Sequence, residues 1–81
     1  MKIVRIEWED SSSTNRIWNT QKYLSEQSNQ VCISVGYLVH EDDECVIVAG
    51  HRGVHEVIDF AGDMRIPKRS IKKRKTLFTE K

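Results

Sequence analysis

Apolar and polar residues alternate from the second position of the chain. In Lys2–Trp8, Val4, Ile6 and Trp8 share one face while Arg5 and Glu7 share the other, which is the period of a half-buried strand. The polar, short-chained run Glu9-Asp10-Ser11-Ser12-Ser13-Thr14-Asn15 breaks the pattern, and a flexible loop is expected over 10–15. A short helix is expected from about Thr20 to Gln27. Asn19 is placed as its N-cap, and Trp18 and Tyr23 have the spacing of a hydrophobic staple. Only Tyr23 and Leu24 give this helix apolar surface, so it is expected to dock on a sheet.

The strongest local signal is a hairpin over residues 31–50. Val31–Val39 is rich in β-branched residues, Glu41-Asp42-Asp43-Glu44 reads as a four-residue turn, and Cys45–Ala49 resumes the strand. With that turn, His40 pairs with Cys45. Val31, Ile33, Val35, Tyr37 and Val39 then face Val46 and Val48 as core. The opposite face carries Cys32, Ser34, Gly36, Leu38 and His40 against Cys45, Ile47, Ala49 and His51. The same register holds Cys32 and Cys45 too far apart for a disulfide, so both thiols are expected to be free.

Beyond the hairpin, His51-Arg52-Gly53-Val54-His55 reads as a connection and Glu56–Phe60 as a ragged edge strand. Ala61-Gly62-Asp63 reads as a turn, and Met64-Arg65-Ile66 as a short strand stopped by Pro67. Pro67–Ser70 suits one 3₁₀ turn. Ile71–Phe78 is the last strand, with residues 76–81 expected to fray. The fold class that follows is mainly β (α+β): four to five short antiparallel strands, with one helix between the first two. They form a small SH3-like or Sm-like barrel, or an open sheet covered by the helix.

With 81 residues, the chain is expected to be one domain, 1–81, burying only about 60% of its unfolded surface. Hydrophobic residues at 38% and charged residues at 31% suit a globular chain. The thin core is expected to lean on sheet pairing and on homo-oligomerisation. Nothing approaches a membrane span, and Met1 opens into a strand pattern and not a leader, so a cytoplasmic location is expected. The net charge of +1 hides a division. Residues 1–64 hold five Lys/Arg against eleven Asp/Glu, a balance of −6; residues 65–81 hold eight against one, a balance of +7. Such asymmetry concerns partners more than fold.

The strings Ser34-Val35-Gly36-Tyr37-Leu38-Val39-His40-Glu41-Asp42-Asp43 and Ile66-Pro67-Lys68 resemble a group of small, uncharacterised bacteriophage and prophage proteins. These share an early strand ending near an E-W pair, a tryptophan before a short helix, an S-V-G-aromatic-aliphatic strand, an acidic turn and a closing I-P-[KR]-x-x-I step. The resemblance runs from Val4 to Ile71. It implies a phage accessory gene product acting in the host bacterial cytoplasm. It implies no activity and no functional residues.

The sharpest candidate site is the basic set Arg65, Lys68, Arg69, Lys72, Lys73, Arg74 and Lys75, seven cations within eleven residues. Phosphate backbones reward such clustering through counterion release. No aromatic residues interleave with these cations, as single-strand recognition would favour. Lysines guarding an edge strand, or pairing with the acidic turn of another subunit, are the structural alternatives. His40, His51, Arg52 and His55 are candidates for a pocket rim.

Cys32, Cys45 and the histidines match no established zinc spacing, so no metal and no cofactor is expected. Cys45 with His40 would lack an orienting third group, and the four glycines form no phosphate cradle, so no enzymatic activity is expected. Trp8, Trp18 and Tyr37 are expected in the core. The leading expectation is a non-enzymatic accessory protein that binds nucleic acid or a nucleotide through Arg65–Lys75. A counter-defence protein, sequestering a nucleotide signal or blocking a host protein, and a structural or protein-interaction module are the alternatives.

Overall fold

The computed structural model describes residues 1–11 and 18–80. Five strands, β1 (Lys2–Asp10), β2 (Gln30–Glu41), β3 (Cys45–Gly53), β4 (Asp59–Pro67) and β5 (Ile71–Thr79), form one antiparallel sheet in the order β4-β3-β2-β1-β5. One helix, α1 (Gln21–Ser25), lies between β1 and β2, and a 3₁₀ turn (Lys68–Ser70) joins β4 to β5. The mainly β architecture expected from the alternating pattern is the one present. Lys68 N donates to Glu44 O at 2.8 Å, which ties the 3₁₀ turn to the β2–β3 turn.

Val4, Ile6 and Trp8 of β1 meet Val46 and Val48 of β3 and Ile66 of β4 in the core, with Cys32, Leu38 and Ile71 packed against them. The alternation in β1 and the inward set on β3 are therefore as expected. For β2 the face is reversed. Val4 pairs with Gly36, Ile6 with Ser34 and Trp8 with Cys32, so the small even-numbered side chains point inward. Val31, Ile33 and Val35 remain 53–55% exposed.

The ladder departs from expectation first at the turn, by two residues, which leaves the faces unchanged, and the reversal itself comes at Val39. Asp42 accepts from the N–H groups of Glu44 and Cys45 at 2.8 and 2.9 Å, and its own N–H donates to Cys45 O at 3.0 Å. This side-chain-capped turn leaves Glu41 in the ladder, where it pairs with Val46, and His40 pairs with Ile47 instead of Cys45. An irregularity at Val39 then shifts the register again, so that Leu38 opposes Val48 and Tyr37 opposes Ala49. One extra residue at a bulge moves every later side chain to the other face. The small inward residues suit this arrangement, since Trp8 needs the room they leave. Its Nε1 donates to Ser34 Oγ at 3.0 Å.

Other elements also depart from expectation. The helix is shorter, and Thr20 caps it in place of Asn19, with Oγ1 accepting from Tyr23 N at 3.1 Å. The helix buries no residue, and Trp18 is 89% exposed, so it forms neither a staple nor core. The interrupted segment 56–66 is instead one strand from Asp59. Pairing with β3 runs from Gly53–Asp59 to Cys45–Pro67, and Gly62 absorbs the distortion at φ +67°. Thr76–Thr79, placed by sequence in a fraying tail, continue β5 against β1, and Glu80 N donates to Met1 O at 2.8 Å. Of the loop expected over 10–15, Asp10 ends β1, while 12–15 lie outside the described residues.

Both cysteines are free thiols, Cys45 buried and Cys32 half-buried. Thiol titration of the unfolded, unreduced protein is expected to count two. A count below two would require a pairing that the strand register does not allow.

Candidate functional site

The seven cations come from three consecutive elements, and the structure sorts them by what each one meets. Glu41, held in the ladder by the tight Asp42 turn, receives Arg74 through both guanidinium nitrogens at 2.7 and 2.9 Å and Lys68 Nζ at 3.0 Å. Lys72 Nζ lies 3.4 Å from Glu9. The acidic turn and the basic strand, treated in sequence as possible partners between subunits, thus pair within one chain. Among the described residues, Arg65, Arg69, Lys73 and Lys75 make no ion pair with a carboxylate.

Arg65, Lys68 and Arg69 line a pocket of about 540 Å³ together with Asp42, Asp43, Glu44, Cys45 and Pro67. Arg65 Nη1 donates to Cys45 Sγ at 3.1 Å. Lys73 and Lys75 are not in this pocket. They lie along β5 opposite Glu7 and Arg5 of β1. The set therefore divides into a corner group beside the 3₁₀ turn and an edge group on β5.

The histidine and arginine candidates for a rim do not converge. His40 Nε2 donates to Asp42 Oδ2 at 2.9 Å, His55 lies 4.0 Å from Asp59, and His51 is exposed on β3. Arg52 instead forms a paired contact with Glu80, both N···O distances 2.7 Å, and lies 5.0 Å over the Tyr37 ring. Neither His40, His51, Arg52 nor His55 lines the corner pocket. The Asp42 carboxylate also stands between Cys45 and His40, 3.9 Å from the sulfur, so thiol and imidazole are not directly paired. Among the described residues, no three His, Cys, Asp or Glu side chains gather as metal ligands.

The ion pairs shape the site's titration. The Arg74 and Lys68 hydrogen bonds bring the Glu41 carboxyl down from about 4.5 to about 2. Asp42 is held well below the usual carboxylate range by His40 and by the Cys45 and Glu44 N–H groups. Arg52 lowers Glu80 in the same way. Each folded-state value lies below the unfolded one, so the stabilisation is complete above the unfolded pKa. It is lost as pH falls through the folded value. Stability is therefore expected to be flat above about pH 5 and to decline from about pH 4.5 towards pH 2. Thermal melts across this range should show a shallower decline for Glu41→Gln than for the parent chain.

Sequence reasoning found the cations and offered the acidic turn Glu41–Glu44 as a partner on another subunit, but it missed that Glu41 pairs with them within the chain, because it placed that residue in the turn. The signal that could have found it is Asp42 three residues before Cys45, the spacing of a side-chain-capped turn. No family model, no curated protein and no solved structure matches this chain. Among the described residues no helix is long and apolar enough to cross a membrane.

Proposed function

We propose that this chain is a non-enzymatic phage accessory protein, acting in the host cytoplasm, that binds a phosphate-bearing ligand. The observation that carries the proposal is the sorting of the cations. Arg65 and Arg69 flank a pocket without carboxylate partners, and Lys73 and Lys75 extend the positive potential along the exposed strand β5. A pocket of about 540 Å³ falls within the roughly 300–1,000 Å³ range of small-ligand sites. Asp43 and Glu44, which also line it, are acceptors for hydroxyl or amino donors of a nucleotide, and they repel a second phosphate. This favours a compact ligand at the corner, while the β5 edge suits a polymer backbone.

Two assays separate these arms. Binding to generic RNA or duplex DNA at the edge should weaken with salt, with a log–log slope of about −2 to −4 for two to four neutralised phosphates. Lys73→Glu with Lys75→Glu should abolish it. A mononucleotide at the corner should raise the melting temperature of the parent chain but not that of Arg65→Glu/Arg69→Glu. Glu41→Gln releases Arg74 and Lys68, so it should tighten either ligand. Absence of binding to polymers and nucleotides at low salt would remove the proposal.

A further inference from the structure

The sheet has several stretches of unpaired strand edge, and they differ in how they are guarded. The outer edge of β5 carries Lys72-Lys73-Arg74-Lys75, and that of β4 carries Asp59, Asp63, Arg65 and Pro67. Another stretch lies within the sheet. β2 pairs with β1 from Gln30 to Tyr37, but with β3 only from Tyr37 to Glu41. Among the described residues, the β3-facing side of residues 30–35 therefore has no strand paired with it. Between Glu26 and Glu41 there is no Asp, Glu, Lys or Arg, and no Pro either. Charges and prolines are the usual devices that stop edges from pairing, and here they are missing. The same stretch exposes Val31, Ile33 and Val35 by more than half.

We infer that this edge pairs with the same edge of a second copy, giving an antiparallel dimer about a two-fold axis at Ile33. The occupant is argued from the residues themselves. An isologous strand pair requires a sequence compatible with its own reverse. Val31-Cys32-Ile33-Ser34-Val35 is nearly palindromic: Val31 falls opposite Val35 of the other copy, Cys32 opposite Ser34, and Ile33 opposite itself. β-Branched side chains directly opposite one another are favourable cross-strand pairs. The same operation on β5 would stack four cations on four cations, which like-charge repulsion disfavours. The dimer extends the Val31–Ile33–Val35 stripe across the axis. It also supplies partners for the β3-facing backbone groups of residues 31–35.

The test uses sedimentation velocity and disulfide trapping on the full chain. The parent protein at high micromolar concentration should sediment at twice the 9.5 kDa mass of one chain. Ile33→Lys should weaken association by more than about tenfold, because two lysines would face each other. Val57→Lys, at a position 76% exposed between β3 and β4, should leave it unchanged. In a Cys32→Ser/Cys45→Ser background, Ile33→Cys should oxidise to a covalent dimer, since opposed residues lie within disulfide reach. Val57→Cys in that background should not. This arm reads the interface without a buried charge, should Ile33→Lys fail to fold. A parent protein that stays monomeric, an assembly indifferent to Ile33→Lys, a ring dispersed only by β4 or β5 substitutions, or equal trapping at positions 33 and 57 would overturn the inference.

Discussion

Gly36→Ala is expected to destabilise the protein by about 3 kcal/mol or more, above the usual 1–3 kcal/mol of an overpacked site. Gly36 is buried on the inner face of β2, where the strand stops pairing with β3. A Cβ placed there would overlap the carbonyl oxygen of Ala49 and lie 2.9 Å from its carbon. Both are backbone atoms of a paired strand, and no rotamer change can move them aside. Relief would require β3 to shift away from β2, which would pull Val46 and Val48 off Val4 and Ile6. Small domains have only about 5–15 kcal/mol of total stability, and each kcal/mol shifts the melting temperature by about 4–8 °C in a domain of this size. The melting temperature should therefore fall by about 15 °C or more. Gly50→Ala is the control: nothing lies within 4 Å of its Cβ, so its melting temperature should stay close to that of the parent. Equal effects at the two positions would show that the close approach of β2 and β3 is absent in solution.

Trp8→Ala is expected to cost about 3–5 kcal/mol, the range for truncating a large buried aromatic. Trp8 is 6% exposed and, among the described residues, is the only ring in the core cluster. Its indole is accommodated because Ser34 and Cys32 are small, and the Nε1–Ser34 Oγ hydrogen bond fixes its orientation. Ser34→Ala would leave the indole N–H without this acceptor, at a cost of about 1–3 kcal/mol. Trp8→Phe would keep most of the packing and lose the same hydrogen bond. Urea unfolding of the two single variants and their double mutant measures the coupling. Coupling near zero would mean that the hydrogen bond adds nothing, and a Trp8→Ala loss below about 1 kcal/mol would move Trp8 out of the core. Should Trp8→Ala not fold at all, Trp8→Phe still reports the packing.

Part of this architecture is legible in the amino-acid sequence and part is not. Strand β1 was legible because Val4, Ile6 and Trp8 alternate with charged residues, and only one face of such a strand can be buried. The strand–proline–3₁₀ turn–strand step at the end was legible because Pro67 cannot donate to a ladder and its fixed φ suits the start of a turn. The basic set was legible as composition. What those cations touch was not, since Arg74 and Lys68 reach Glu41 across 33 and 27 residues of chain. The exposure of Trp18 had no sequence signal that could compete with its size. A helix of five residues, whose apolar side chains are few, does not bring that ring to the sheet.

The amino-acid sequence by itself determined that this is a mainly β chain with antiparallel strands, one short helix, two free thiols and a cationic end. Those properties follow from local periodicity, turn chemistry and composition, which act over a few residues. The tertiary structure alone decided which face of β2 is core. Alternation says only that the two faces differ, and β2 is apolar enough on both that the bulge at Val39 and the room needed by Trp8 made the choice. The tertiary structure likewise decided which cations remain without carboxylate partners. Ion pairing depends on register, and a one-residue slip exchanges every partner.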